Sequence, residues 1–146
     1  MTEKQKNAEQ IAGEILRLSR NMLLVNLRFL DAALNQLELR PVAASSLLTD
    51  GEHLCYRPEW VLRTFQTAKE IPVRDYLHVV MHCIFQHMYM SPSIDREYWD
   101  LACDIAAEYV ITGLGIKAAE APRQEEQRQY FKAFQHDLNH VTAEKL

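Results

Sequence analysis

Two histidines, His78 and His82, stand four residues apart in the segment DYLHVVMHCIFQH, which spans residues 75–87. Each residue of an α-helix advances about 100° around the axis, so these side chains lie one turn apart on the same flank. Two imidazoles in this arrangement can bind one metal ion, and metalloproteases bind zinc with this spacing. The spacing therefore predicts a zinc site. The alternative is a pair of unrelated histidines at the surface or at the edge of the core.

The residue after the first histidine is Val79, whereas metalloproteases of the HExxH type carry a glutamate at this position. That glutamate accepts the proton of the metal-bound water and passes it to the leaving amine. A valine cannot accept a proton, and general-base assistance typically contributes about 10²–10⁴-fold to the rate. We therefore expect a zinc site here to be weakly active or inactive as a peptidase.

Three carboxylates, Asp100, Asp104 and Glu108, follow at four-residue spacing in the segment REYWDLACDIAAEYVI. They share one face of a predicted helix, away from its small apolar residues. One interpretation is a solvated acidic face. The other is that one carboxylate is the third metal ligand, donated from a second helix. Three protein ligands and a water would make a zinc site of the catalytic type.

The cysteines, Cys55, Cys83 and Cys103, are odd in number and form no CxxC pair. A disulfide framework is therefore not expected, and a reducing cytoplasm fits this usage best. Cys83 and Cys103 are neighbours of the candidate ligands in sequence. Such cysteines are more often core residues, but two histidines and two cysteines can also close a structural zinc site.

Length and charge restrict the classes of partner. The chain has 146 residues, enough for one domain with a substantial core, and its net charge is −4. No basic surplus is present to neutralise phosphates, which argues against nucleic acid. The richest apolar run, MLLVNLRFLDAAL, carries Asn26, Arg28 and Asp31, so it is too polar and too short to span a membrane.

The elements that position the candidate ligands are mainly helical, and we expect one domain over residues 1–146. Within it, residues from about 117 to 146 are polar and form a C-terminal extension or the truncated start of a further segment. Apolar residues at three- and four-residue steps predict helices, and Asp-Gly between short apolar runs predicts a hairpin. The sequence thus predicts an α+β fold that is mainly α. The predicted elements are a helix over about 5–39, ended by Arg40-Pro41, a β-hairpin around Asp50-Gly51, a short helix after Pro58, the histidine helix from Pro72, a break at 91–93, and the acidic helix from Asp95 to about Gly113.

The order of these motifs resembles a bacterial family of metallopeptidase domains that usually precede a von Willebrand factor A-like domain. The resemblance covers about residues 20–146 and implies a zincin-like fold of helices with a small β-hairpin. Four motifs in order are far more specific than the histidine spacing alone. They are LRFLDAALNQLEL; Thr49-Asp50-Gly51 with Leu54, Tyr56, Pro58 and Val61; His78, Val79, His82 and His87; and Trp99, Asp100, Ala102, Asp104 and Glu108.

This resemblance implies that His78 and His82 are zinc ligands and that Asp104, which matches the family aspartate, is the third. His87 matches a family position too. It lies about 140° from His82 in an unbroken helix, so it can orient a ligand or complete the site only if the helix breaks.

The sequence departs from the family at three positions. Val79 replaces the general base, and both family asparagines are acids here, Asp100 and Glu108. These acids either reposition the catalytic groups, with Glu108 or Asp100 as a substitute base, or mark a degenerate site.

Two functions are left open. The first is a zinc-metallopeptidase-like domain with a degenerate HVVMH motif, weakly active or inactive. The second is a non-catalytic protein-binding or scaffold module with no functional metal. Relatives stand beside ATPases of the MoxR type, so the resemblance implies a protein or peptide partner. A von Willebrand factor A-like protein and a MoxR-type ATPase are the candidates by analogy.

Overall fold

The computed structural model describes residues 2–43, 47–87, 92–138 and 140–146. In these ranges the chain forms six α-helices and a small three-stranded sheet, which confirms the predicted mainly α fold of the α+β class. Ser91, where the predicted break begins, lies outside the described residues. The helices are α1 (Glu3–Asn26), α2 (Asp31–Gln36), α3 (Pro58–Thr67), α4 (Glu70–Ile84), α5 (Arg96–Leu114) and α6 (Arg123–Asp137), and the strands are β1 (Glu38–Pro41), β2 (Leu48–Thr49) and β3 (His53–Tyr56).

The prediction of one helix over about 5–39 is wrong beyond residue 26. The chain leaves the helix at Leu27, makes a short turn and α2, and then enters β1. This path buries Leu27, Leu34 and Leu37 together in the core. The helical spacing of the apolar residues is real, but burial and pairing with β3 override it after Asn26.

The predicted hairpin is confirmed as β2 and β3, which pair antiparallel with Leu48 opposite Cys55. Gly51 has a φ of 95°, which a side chain would disfavour, and the Asp50 carboxylate accepts the backbone N–H of His53. The strand order is β1-β3-β2, and β1 runs parallel to β3. β3 is therefore the central strand, and β1 and β2 are the two edge strands.

The core is built around α4, which packs against α1, α3 and α5. One face of α4 is apolar and is buried at Val73, Leu77, Val80 and Met81, whereas Ile84 at its end is partly exposed. Each fully buried side chain of this size contributes about 1.5–3 kcal/mol, so the orientation of α4 is strongly fixed. None of the described helices combines the length and the apolar character that a membrane span requires.

Candidate metal centre

His78 and His82 of α4 and Asp104 of α5 line one cleft and bring three donor atoms together. The two histidine Nε2 atoms are 2.8 Å apart, and each lies 3.0 Å from Asp104 Oδ1. Among the described residues, this is the group of histidine, cysteine and acidic side chains that converges closely enough to hold one metal ion. The structure therefore assembles the three predicted ligands, and we call these three atoms the donor triangle.

The donor triangle suits a cation better than a set of hydrogen bonds. An imidazole nitrogen offers one N–H or one lone pair, but each Nε2 here faces two partners at hydrogen-bonding distance. Ligand atoms at about 2.0–2.1 Å from one tetrahedral zinc ion stand about 3.3 Å apart, close to the observed separations. Two imidazoles and one carboxylate also match the donor set of catalytic zinc sites, which keep a fourth position for water.

The second helix of the site, α5, is fixed at its N-terminal end. The Asp95 carboxylate caps the helix by accepting the backbone N–H groups of Glu97 and Tyr98. Trp99, one turn further on, is buried and donates its indole N–H to the carbonyl oxygen of His87 at 2.9 Å. This bond ties the start of α5 to the turn that follows α4, next to the donor triangle.

The cleft around the donor triangle has a volume of about 680 Å³ and opens to solvent. Val79 lies in its wall beside the histidines, with only 4% of its surface exposed, and also packs in the main apolar core. The position of the family's general base therefore lies in the cleft wall and holds no proton acceptor. Asp100 also lines the cleft, but its side chain is largely exposed and lies 3.9 Å from Arg96.

Charge is balanced inside the donor triangle. Burial lowers the pKa of His78, but the carboxylates of Asp104 and Glu108 outweigh it and raise that pKa to about 9. For Asp104, burial raises the pKa, and the hydrogen bonds from both histidines hold it well below its usual range. Without metal, His78 therefore carries an extra proton at neutral pH, and a metal ion can displace that proton.

The structure corrects the expectation of a solvated acidic face at Glu108. Asp100 and Asp104 are more than half exposed, but only 8% of the Glu108 side chain is. Arg74 Nε donates to its Oε2 at 2.8 Å, and Arg123 Nε donates to its Oε1. Glu108 is therefore an internal counter-ion rather than part of a surface.

These contacts also bear on Glu108 as a substitute base. Burial raises the pKa of its carboxyl, but His78 and the two arginines hold it well below the usual range. Both oxygens are engaged by guanidinium groups, so the carboxylate is a poor proton acceptor. Its Oε2 lies 3.6 Å from His78 Nδ1, which places a negative charge behind that histidine.

Sequence reasoning missed the arginines. Arg74 is fully buried in α4 and also donates to Gln124 and to the hydroxyl of Thr112. Arg123, at the start of α6, pairs with Asp75 at 2.7 Å as well as with Glu108. The signal was present for Arg74, because it precedes His78 by one helical turn and so belongs to the same flank of α4.

His87 and the cysteines lie outside the donor triangle. Helix α4 ends at Ile84, and the break brings His87 Nδ1 to 3.0 Å from His82 Nδ1, on the far side of that ring from its Nε2. Cys83 contacts the hydroxyl of Thr49, and Cys103 packs in a small apolar cluster. Neither cysteine joins the convergent ligand group found among the described residues, which disfavours the structural site with two cysteines.

Comparison with known proteins places most of the chain in one family. Residues 19–146 match a family model described as "Putative metallopeptidase domain". This range includes all three atoms of the donor triangle and their supporting arginines. No curated protein and no solved structure gives a significant match.

Proposed function

The chain belongs to the putative metallopeptidase domain family, and from this premise we propose that it binds one zinc ion through His78, His82 and Asp104 and has little or no peptidase activity. The observation that carries the proposal is the convergence of two Nε2 atoms and one carboxylate oxygen within 3.0 Å at the cleft. Zinc suits two imidazoles and a carboxylate, and when bound it polarises a carbonyl and acidifies water.

Low activity follows from the residues that surround the donor triangle. Val79 offers no proton acceptor, and the Glu108 carboxylate is held by two guanidinium groups. Asp100 stands at the mouth of the cleft beside Arg96, largely in solvent. The domain therefore lacks the contribution of about 10²–10⁴-fold that a positioned general base makes.

Metal analysis of protein purified without a histidine tag tests the binding part of this proposal. We expect about one equivalent of zinc in the unmodified chain and a loss of zinc in His82→Ala. The matched control is His53→Ala, because His53 lies on the hairpin and pairs with Asp50 at 3.0 Å, away from the cleft. Equal metal content in the two variants would overturn the ligand assignment.

Val79 also favours a second candidate, a protein-binding module that retains the fold without a functional metal. Absence of metal from the untagged protein, together with a native fold, would support this candidate over the first. The proposed partner in either case is a protein or peptide, with a von Willebrand factor A-like protein or a MoxR-type ATPase proposed by analogy only. A cytoplasmic location is proposed from the cysteine usage.

A further inference from the structure

The end of α4 has a backbone geometry that determines where His87 lies. Gln86 has a φ of 55°, in the left-handed region. Its N–H donates to the carbonyl of Cys83 at 3.2 Å, and the His87 N–H donates to the carbonyl of His82 at 3.0 Å. These two bonds define a Schellman motif, in which the last residue commonly makes an apolar contact with the residue five positions earlier. Here the two residues in those positions are both histidines.

The two imidazoles meet through their Nδ1 atoms, which are 3.0 Å apart. On the opposite side of the same ring, the Nε2 atom of His82 belongs to the donor triangle. A neutral imidazole that binds a metal through Nε2 carries its proton on Nδ1. His82 must then donate through Nδ1, and His87 must accept through Nδ1 and carry its own proton on Nε2.

His87 is held in place by contacts that do not involve the His82 side chain. Only 8% of its surface is exposed, and its carbonyl oxygen accepts the indole N–H of Trp99 at 2.9 Å. The Trp99 ring also lies edge-on to the His87 imidazole, with centroids 6.0 Å apart. The backbone motif and Trp99 therefore fix the acceptor before any metal enters.

We propose that His87 is a positioning residue of the metal site: it accepts the Nδ1–H of His82 and so sets the tautomer and the ring orientation of that ligand. This inference rests on the proposed function. Metal-binding histidines usually donate to a carboxylate, a carbonyl or water, and these partners determine how well the ligand is oriented. His82 donates to a neutral ring, whereas His78 has the Glu108 carboxylate behind its Nδ1 at 3.6 Å. The two histidine ligands are therefore electronically unequal.

Zinc affinity, measured by competition with a chelator, tests the role of the acceptor. We expect His87→Phe to weaken zinc binding about 10–100-fold, the usual effect of losing the partner of a ligand. His87→Gln keeps an oxygen acceptor and should recover most of that loss. Gln86→Gly is the matched backbone control, because glycine favours the left-handed conformation and leaves both imidazoles in place. It should bind zinc like the unmodified chain.

A second measurement does not depend on any variant. In the zinc-loaded, ¹⁵N-labelled protein, we expect a scalar coupling across the hydrogen bond between His82 Nδ1 and His87 Nδ1. A histidine that merely fills space would not produce this coupling. Its absence in a zinc-loaded sample, or zinc binding by His87→Phe within about twofold of the unmodified chain, would overturn the inference. Failure of the unmodified chain to bind zinc at all would instead overturn the proposed function.

Discussion

Arg74 and Glu108 form an ion pair in the interior of the protein, with Nε and Oε2 2.8 Å apart. The pair lies directly behind the donor triangle, because Glu108 Oε2 is also 3.6 Å from His78 Nδ1. Arg123 binds the other oxygen of the same carboxylate from α6. Glu108 therefore connects α4, α5 and α6 at a single point.

Removal of this carboxylate should strongly destabilise the fold. We expect Glu108→Ala to lower the free energy of unfolding by about 3–5 kcal/mol, because it leaves the buried Arg74 without its counter-ion. Urea denaturation of the metal-free protein measures this change. Asp100→Ala is the control on the same helix, since Asp100 is exposed, and it should change stability by less than about 0.5 kcal/mol. Similar losses for both variants would contradict the role of Glu108.

The third ligand is tested by comparing the acids of α5. Asp104→Ala should lose zinc on dialysis, because Asp104 Oδ1 is the atom that lies 3.0 Å from both histidine nitrogens. Asp100→Ala should retain about one equivalent. Metal content is measured by elemental analysis, with the fold checked by circular dichroism. Retention of zinc by the Asp104 variant would remove it from the ligand set.

A general base can be restored at the position facing the cleft. We expect Val79→Glu to give chelator-sensitive cleavage of an unstructured peptide above the level of the unmodified chain, with a gain of up to about 10²–10⁴-fold. Val79→Gln is the control, because glutamine has nearly the same shape as glutamate but does not act as a base. A fluorogenic peptide assay measures both.

Two results would count against the proposed role of Val79. Robust, chelator-sensitive cleavage by the unmodified chain would show that another group already acts as the base. A Val79→Glu variant that gains nothing while zinc is bound would show that more than the base has been lost.

The charge of His78 predicts how the metal-free protein responds to pH. Burial lowers its pKa, but Asp104 and Glu108 raise it from 6.5 to about 9, so the folded state binds this proton more tightly than the unfolded state. The resulting stability is complete below pH 6.5 and is lost as the pH rises through 9. We expect the melting temperature of the metal-free protein to fall over this range, and the fall to be absent in His78→Gln.

Zinc binding should release the proton that His78 carries in the metal-free protein. At neutral pH zinc must displace it, so about one proton is released from His78 per ion bound. Calorimetry in two buffers of different ionisation enthalpy measures this release. Identical binding enthalpies in both buffers would contradict the raised pKa of His78.

The shared flank of His78 and His82 was predictable because it depends on local periodicity, whereas the choice of Asp104 as their partner came from the family resemblance. Two residues four apart share a helix flank whatever the rest of the fold does, and the same holds for the acids of α5. The structure shows a longer version of this pattern, in which Arg74, His78 and His82 at four-residue steps on α4 face Glu108 and Asp104 on α5. The complementary order of charges was present in the sequence.

The burial of Glu108 and the strand β1 could not be predicted in the same way. Glu108 is buried because Arg123 reaches it from α6, and that contact depends on how a polar segment packs after Gly115. Similarly, residues 38–41 form a strand because β3 offers a partner, although the apolar spacing extended the predicted helix to residue 39. Both features result from long-range contacts that periodicity does not contain.

The positions of the aromatic residues give this molecule a built-in optical probe. The chain has two tryptophans, and both Trp60 and Trp99 line the cleft. The tryptophan fluorescence of the protein, excited selectively over that of its tyrosines, therefore originates at the walls of one cleft. Because the Trp99 indole is hydrogen bonded to the carbonyl oxygen of His87, its emission should respond to an ion bound at the donor triangle. Trp60 lines the cleft together with Leu48 and Thr49 of β2, so its emission should respond to a peptide bound beside that strand. Titrations followed by emission can thus distinguish the two kinds of occupant without any attached label.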